Sequence, residues 1–278
     1  MKYNVFFTLE PVFDGVFDLL NNMRLPTLAY IHLFPPHEPY FPKNEFIGIF
    51  DDGWVKDTKH SHGLSPKLPV EYLIAQRREY DEYIAHTDAE FGRLFNKLEN
   101  AGLIDNSYVV VTSDHGELFD WGVRGHVTEL LYNPLIHVPL LISRPAQNYR
   151  QDIYASTSCA DLVPTLVNLM RQTVPEWCEG QLLPGMGGVE KPERNVFAID
   201  AKLSSTHQAI SVGTIVLIKE NFKLIHYFGY NNYEDGYELY DLYNDPEENN
   251  NIFTVKPDIA SSLKFELDAK LHEINTPK

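Results

Sequence analysis

The chain has 278 residues, a length that suits one large α/β domain or one domain with a small appendage. Hydrophobic residues make up 44% of it, so the composition supports a buried core and excludes a mainly disordered protein. Its formal charge of −16 disfavours nucleic acid and anionic lipid as partners, and no apolar run is long enough for a membrane span.

The first part of the chain predicts helices and strands in alternation. Apolar residues at helical spacing indicate a helix over 11–23, and a continuous apolar run at 27–34 indicates a buried, parallel strand. The composition of 35–69, rich in proline, glycine and histidine, is typical of a long loop. The strongest helical pattern covers 70–101, and Gly102 is a fitting end for that helix.

The rest of the chain begins in the same way and then changes character. Strands are predicted at 108–112 and 138–142, and a helix at 160–171. Between 196 and 243, short β-branched and aromatic runs separated by turn residues predict an antiparallel meander. A closing helix is expected over 257–273.

The order of these elements defines the expected fold class. It is α/β, with a mainly parallel sheet flanked by helices, a smaller C-terminal antiparallel sheet subdomain and a closing helix. We expect the catalytic α/β domain to cover 1–190 and the C-terminal subdomain to cover 191–278.

Candidate functional residues follow two of the predicted strands. Asp114 and His115 come directly after the strand at 108–112, and Gly116 supplies the break that lets both side chains reach one ion. His37 follows the run at 27–34, and His126 lies in a polar segment after Asp114 and His115. If the two strands are parallel, their ends open on the same sheet edge, and these four residues converge.

A carboxylate and an imidazole on neighbouring residues form half of a plausible divalent-metal site. A cation and imidazolium groups would also give this acidic protein the local positive charge that an anionic ester requires. The other histidines, including His32 in the apolar run and His86 within the long helix, are interpreted as structural or solvated side chains.

Several segments, in order along the chain, resemble the sulfatase family of the alkaline phosphatase superfamily. The segments that carry this resemblance are 37–42 (HEPYFP), 112–117 (TSDHGE), 125–126 (GH), 131–145 (LYNPLIHVPLLISRP), 156–170 (STSCADLVPTLVNLM) and 238–252 (ELYDLYNDPEENNNI). The resemblance implies an alkaline phosphatase-like fold and a hydrolase of sulfuric esters.

The resemblance also implies roles for individual residues. Asp114 and His115 are the expected metal ligands, for calcium first, with magnesium, manganese and zinc as alternatives. His37 is expected to contact the sulfuryl oxygens and to protonate the departing alcohol. His126 is expected to be the second catalytic histidine and to bind substrate close to the same place.

The catalytic nucleophile of the family has no counterpart in this sequence. Sulfatases carry a Cys-x-Pro-x-Arg or Ser-x-Pro-x-Arg string whose first residue becomes formylglycine, but Cys159 and Cys178 both run into other residues. The paired metal-binding aspartates of the family's first strand are also missing. We therefore expect an N-terminal portion with the nucleophile to lie outside this chain, which makes the chain a fragment, one half of a split enzyme with a separate N-terminal half, or a non-catalytic binding protein.

The predicted function is that of a metal-dependent, sulfatase-like hydrolase that is inactive without the nucleophile segment. The expected substrate is a small-molecule or carbohydrate sulfate ester. A phosphodiesterase, phosphonate monoester hydrolase or phosphoethanolamine transferase of the same superfamily is the alternative. No signal peptide is visible, so the cytoplasm is the default expectation for location.

Overall fold

The structure, a computed structural model, describes residues 8–51, 59–205 and 208–276. The chain divides into two compact units. The first unit comprises Met1–His126 and Val138–Tyr149, and the second comprises Val127–His137 and Arg150–Lys278. The domain boundary expected at residue 190 stays a prediction.

Two helices form the core of the first unit. Helix α1 covers Leu9–Asn21 and helix α2 covers Val70–Asn100, so the two predicted helices are confirmed. The side chains buried between and around them are Leu9, Phe13, Val16, Tyr40, Tyr83, Leu94, Leu98 and Phe119. Although α2 has 31 residues, no helix in the described part of the chain is long and apolar enough to cross a membrane.

A short two-stranded sheet follows α2. Strand β1 covers Val109–Thr112 and strand β2 covers Leu140–Ser143, and they pair antiparallel with Val109 opposite Ser143. Both strands were predicted, but β1 has an antiparallel partner because the chain reverses direction between residues 113 and 139. Over the described residues, both sheets are antiparallel.

The prediction of a buried strand at 27–34 is wrong. The segment has no regular secondary structure and pairs with no strand of the described chain, and most of its apolar side chains are exposed, although Leu33 packs against the core of the first unit. Leu28 is 66% exposed and Tyr30 is 86% exposed. An apolar strand is buried only when neighbours cover both of its faces, and the described residues provide no such cover.

The second unit is built on the predicted antiparallel sheet. Two short helices, α3 (Asn133–Ile136) and α4 (Leu162–Leu169), precede it. Its strands are β3 (Asn195–Asp200), β4 (Gly213–Lys219), β5 (Phe222–Phe228) and β6 (Gly236–Asp241), in the sheet order β3-β4-β5-β6. Helix α5 (Pro257–Asn275) closes the unit and buries Leu263 and Leu267 against this sheet.

The turn before α4 is held by a buried ion pair. Asp161 is fully buried, and its two carboxylate oxygens accept hydrogen bonds of 2.5 and 2.7 Å from the Arg194 guanidinium. The backbone N–H groups of Ser158 and Gln181 donate to the same carboxylate at 2.9 and 2.8 Å. Burial by itself would raise the pKa of Asp161, but these four donors outweigh it and hold the pKa below its ordinary value.

This ion pair predicts a pH-dependent stability difference between the protein and its Arg194→Met variant. At neutral pH we expect the variant to be less stable by about 1.5–3 kcal/mol, the range for hydrogen bonds to charged groups. Because the folded-state pKa of Asp161 is lowered, its contribution is present above about pH 4, near the unfolded value, and is lost as the pH falls through the folded value. Urea unfolding at several pH values measures this, and a difference that grows on acidification would contradict it.

Candidate functional site

The four predicted site residues lie together in the first unit, beyond the end of β1. The imidazole rings of His115 and His126 stack at a centroid distance of 4.0 Å, and the rings of His126 and His37 lie 5.0 Å apart. Asp114 Oδ2 lies 3.9 Å from His115 Nε2. The convergence expected from the sequence is therefore present, although the parallel strand pair that suggested it is not.

His37 is positioned by a turn that follows residues 27–34. Its backbone N–H donates to the Phe34 carbonyl at 3.0 Å, and its ring packs against the Phe34 ring with centroids 4.4 Å apart. The next residue, Glu38, forms an ion pair with Arg124, which lies two residues before His126. Burial by itself would lower the pKa of Arg124, but the Glu38 carboxylate outweighs it and raises that pKa. Because Glu38 follows His37 and Arg124 precedes His126, this ion pair holds the His37 turn beside His126.

His126 is positioned by a tight return of the chain after β1. Leu118 and Gly125 form an antiparallel bridge with N–H to carbonyl distances of 3.2 and 2.8 Å. Gly125 has a φ of +96°, a conformation that other residues rarely adopt. This bridge sets the flanking residues Glu117 and His126 side by side, and His126 Nδ1 lies 2.6 Å from Glu117 Oε1.

The hydrogen bonds of the three imidazoles determine their tautomers. The Nδ1 atom of His37 faces the Glu38 carbonyl at 2.7 Å, and Nδ1 of His115 faces the Gly116 carbonyl at 2.9 Å. Since a carbonyl or carboxylate oxygen only accepts hydrogen bonds, each Nδ1 in this set carries the proton, including that of His126. In a neutral ring, Nε2 then keeps its lone pair, the arrangement found when an outer oxygen orients a metal-binding histidine.

Carboxylates and imidazoles lie close enough here to hold a divalent cation. One ligand atom from each of His115, Glu117 and His126 falls within a mutual distance of 4.8 Å. Asp114 adds a carboxylate whose Oδ1 accepts the His115 backbone N–H at 3.0 Å and whose Oδ2 faces His115. This donor set fits a divalent cation, since oxygen ligands suit hard ions and imidazole suits borderline ones.

Sequence reasoning missed two contributors to this cluster. Glu117 is part of the matched TSDHGE segment, but only the bridge shows that its buried carboxylate meets His126. His32 was interpreted as a structural imidazole, yet its Nε2 lies 3.9 Å from Asp114 Oδ2 and its side chain is 62% exposed. In the sequence, the glycines at 122 and 125 indicate a tight turn that brings the chain back after β1.

Comparison with solved structures defines the class of the fold. The phosphonate monoester hydrolase of Agrobacterium radiobacter matches with a TM-score of 0.79 at 20% identity, over 96% of this chain and 61% of that chain. A structure solved with its substrate D-glucosamine-2-N,6-O-disulfate matches with a TM-score of 0.71 at 22% identity, over 96% of this chain and 69% of that one. The protein thus has the α/β fold of the alkaline phosphatase superfamily.

Sequence comparison identifies the family within that class. The Sulfatase family model matches residues 8–172, and a model described as N-sulphoglucosamine sulphohydrolase, C-terminal, matches residues 124–276. The chain belongs to the sulfatase family. Arylsulfatase K of Bos taurus is 32% identical over 295 residues, covering 93% of this chain and 53% of that protein. The chain spans about half the length of the curated relatives that it matches.

Proposed function

We propose that this chain provides the substrate-binding and leaving-group side of a sulfatase active site. The observation that supports the proposal is the set of imidazoles at His37, His115 and His126, each with Nδ1 bound to an oxygen and Nε2 presented for chemistry. Together with Asp114, they provide donors for an anionic ester and ligands for a cation within one small region.

In this proposal, Asp114 and His115 hold a divalent cation, with Glu117 close enough to join the ligand set and His126 beside it. Calcium is the expected ion, and magnesium, manganese and zinc are the alternatives. Calcium and magnesium prefer the carboxylate oxygens of this cluster, whereas imidazole nitrogens suit zinc better. When bound, such a cation stabilises the charge that develops on the sulfuryl oxygens.

His37 and His126 have complementary roles in the proposed reaction. His37, held by the Glu38 carbonyl on its Nδ1 side, acts as an imidazolium: it donates its Nε2 proton to the alcohol oxygen as the ester bond breaks and is left as a neutral ring with its proton on Nδ1. His126, oriented by Glu117, also acts as an imidazolium and donates a hydrogen bond from Nε2 to a sulfuryl oxygen. The buried Glu117 carboxylate keeps the His126 ring in position, which makes Glu117 a positioning residue.

The nucleophile in this proposal comes from a segment with the family's Cys-x-Pro-x-Arg string, supplied by a separate N-terminal half or by sequence upstream of these residues. The proposed substrate is a sulfated small molecule or carbohydrate. One structural relative was solved with the sulfated sugar D-glucosamine-2-N,6-O-disulfate as its substrate, which supports the carbohydrate class.

The purified 278-residue chain is expected to show no turnover of aryl sulfates, because neither cysteine lies in a string that becomes formylglycine. Co-expression with the N-terminal portion of a related sulfatase, in cells that generate formylglycine, should produce activity. Asp114→Ala should abolish that activity. Turnover by the chain alone that is also lost in Asp114→Ala would contradict the prediction, and sequencing directly upstream would show whether the string is encoded there.

A phosphonate or phosphate ester hydrolase is the second candidate, favoured by the fold likeness to a phosphonate monoester hydrolase. Parallel assays of the completed enzyme with matched aryl sulfate, phosphate and phosphonate esters would separate the two candidates. Faster turnover of the sulfate supports the sulfatase. Binding of sulfated ligands without turnover of any ester would support a non-catalytic binding protein.

A further inference from the structure

A second cluster of metal-ligating side chains lies between α1 and α2 and shares no residue with the site described above. One ligand atom from each of Glu10, His86 and Glu90 falls within a mutual distance of 4.8 Å. Glu10 is in the first turn of α1, while His86 and Glu90 are four residues apart on α2 and therefore share one face of that helix.

The imidazole of this cluster is buried without a hydrogen-bond partner. His86 is only 4% exposed, and within the described part of the chain neither of its ring nitrogens has a partner. Its ring stacks on Phe46 at a centroid distance of 5.0 Å, a contact that satisfies neither nitrogen. Buried polar atoms nearly always have partners, and leaving one unpaired costs free energy. A ligand that accepts the lone pair of an imidazole nitrogen would remove that cost.

The carboxylates of Glu10 and Glu90 already bind a positively charged side chain, that of Lys43. Glu90 Oε2 accepts a hydrogen bond from Arg93 Nε at 2.8 Å and lies 2.7 Å from Arg93 Nη2, while Glu90 Oε1 faces the Lys43 ammonium at 3.9 Å. Lys43 also forms an ion pair with Glu10 Oε1. The Lys43 side chain is 43% exposed, so its ammonium can move into solvent when another cation takes its place.

We propose that Glu10, His86 and Glu90 form a binding site for a borderline divalent transition-metal ion such as Zn²⁺, which displaces Lys43. One imidazole nitrogen and two carboxylate oxygens are ligands that zinc accepts, and water completes a four-coordinate shell. Arg93 remains on the outer oxygen of Glu90 and orients it. The ion ties the first turn of α1 to the middle of α2, a structural role that does not depend on the proposed hydrolase function.

The test is metal titration of the full chain after treatment with a chelator. Zn²⁺ binding is measured by calorimetry and Co²⁺ binding by visible absorption, both in a His115→Ala/His126→Ala background that disables the other cluster. We expect one remaining site. Adding His86→Phe, which keeps a ring against Phe46, should weaken binding about 100-fold or more, because loss of even an outer partner costs roughly 10- to 100-fold.

Lys43→Met provides the matched variant, because it removes the competing ammonium and leaves all three ligands in place. It should tighten Zn²⁺ binding in the same background by about three- to tenfold, and the thermal midpoint should rise further with zinc than in the parent. Absence of the remaining site in the background protein, or unchanged affinity in both His86→Phe and Lys43→Met, would overturn the proposal.

Discussion

Replacing Lys223 with methionine is expected to destabilise the second unit by about 3–5 kcal/mol, the cost of leaving one buried charge without its partner. Lys223 lies on β5 with no exposed side-chain surface, and its Nζ is 2.6 Å from Oε1 of the equally buried Glu248. Lys223 Nζ also donates to Asn133 Oδ1 at 3.0 Å, and Glu248 Oε2 accepts the Asn133 backbone N–H at 2.7 Å. The substitution would therefore leave the buried Glu248 carboxylate without its ion-pair partner and Asn133 Oδ1 without its donor.

The measurement is hydrogen exchange of the β4 and β5 amides in urea, which reports on the second unit by itself. Arg150→Met is the control, because it removes an ion pair with Asp152 in which the arginine side chain is 86% exposed; it should leave exchange unchanged. The double variant Lys223→Met/Glu248→Met should recover part of the loss. Equal effects of Lys223→Met and Arg150→Met would contradict the argument.

The His37→Ala variant of the completed enzyme is expected to lose roughly 10²- to 10⁴-fold in turnover of alkyl sulfates, the usual contribution of a general acid. The loss should be much smaller for an aryl sulfate whose phenol is acidic, because such an oxygen departs without needing a proton. Divalent-cation affinity should be unchanged, since the proposed ligands are Asp114 and His115. Parallel kinetics with the two classes of ester and calorimetry with Ca²⁺ measure both effects.

His60→Ala is the matched control for this prediction, because His60 is exposed in the long loop and forms no part of the cluster. It should retain the turnover of the parent enzyme with both esters. An equal loss of turnover for alkyl and aryl sulfates in His37→Ala would indicate that His37 only binds the sulfuryl group. No loss with either ester would show that His37 has no role in the reaction.

Local sequence patterns determined most of the secondary structure. The spacing of apolar residues located α1, α2 and α5, because the side chains of a helix that share one face are only three or four positions apart. The β-branched and aromatic runs located the C-terminal sheet, because residues of these types favour strands. The TSDHGE segment identified Asp114 and His115, and its likeness to the sulfatase pattern did not require coordinates.

Only the tertiary structure decided which distant residues meet. A strand-like sequence does not specify its neighbours, so residues 27–34 were predicted as buried although Tyr30 and Leu28 are exposed. The contact of Glu117 with His126 depends on a bridge between Leu118 and Gly125, and the chain return that creates it is closed by backbone hydrogen bonds. Local propensity determines whether a segment forms a helix or a strand. These contacts instead require the chain to fold back and bring separate segments together, and composition and periodicity do not specify where it does so.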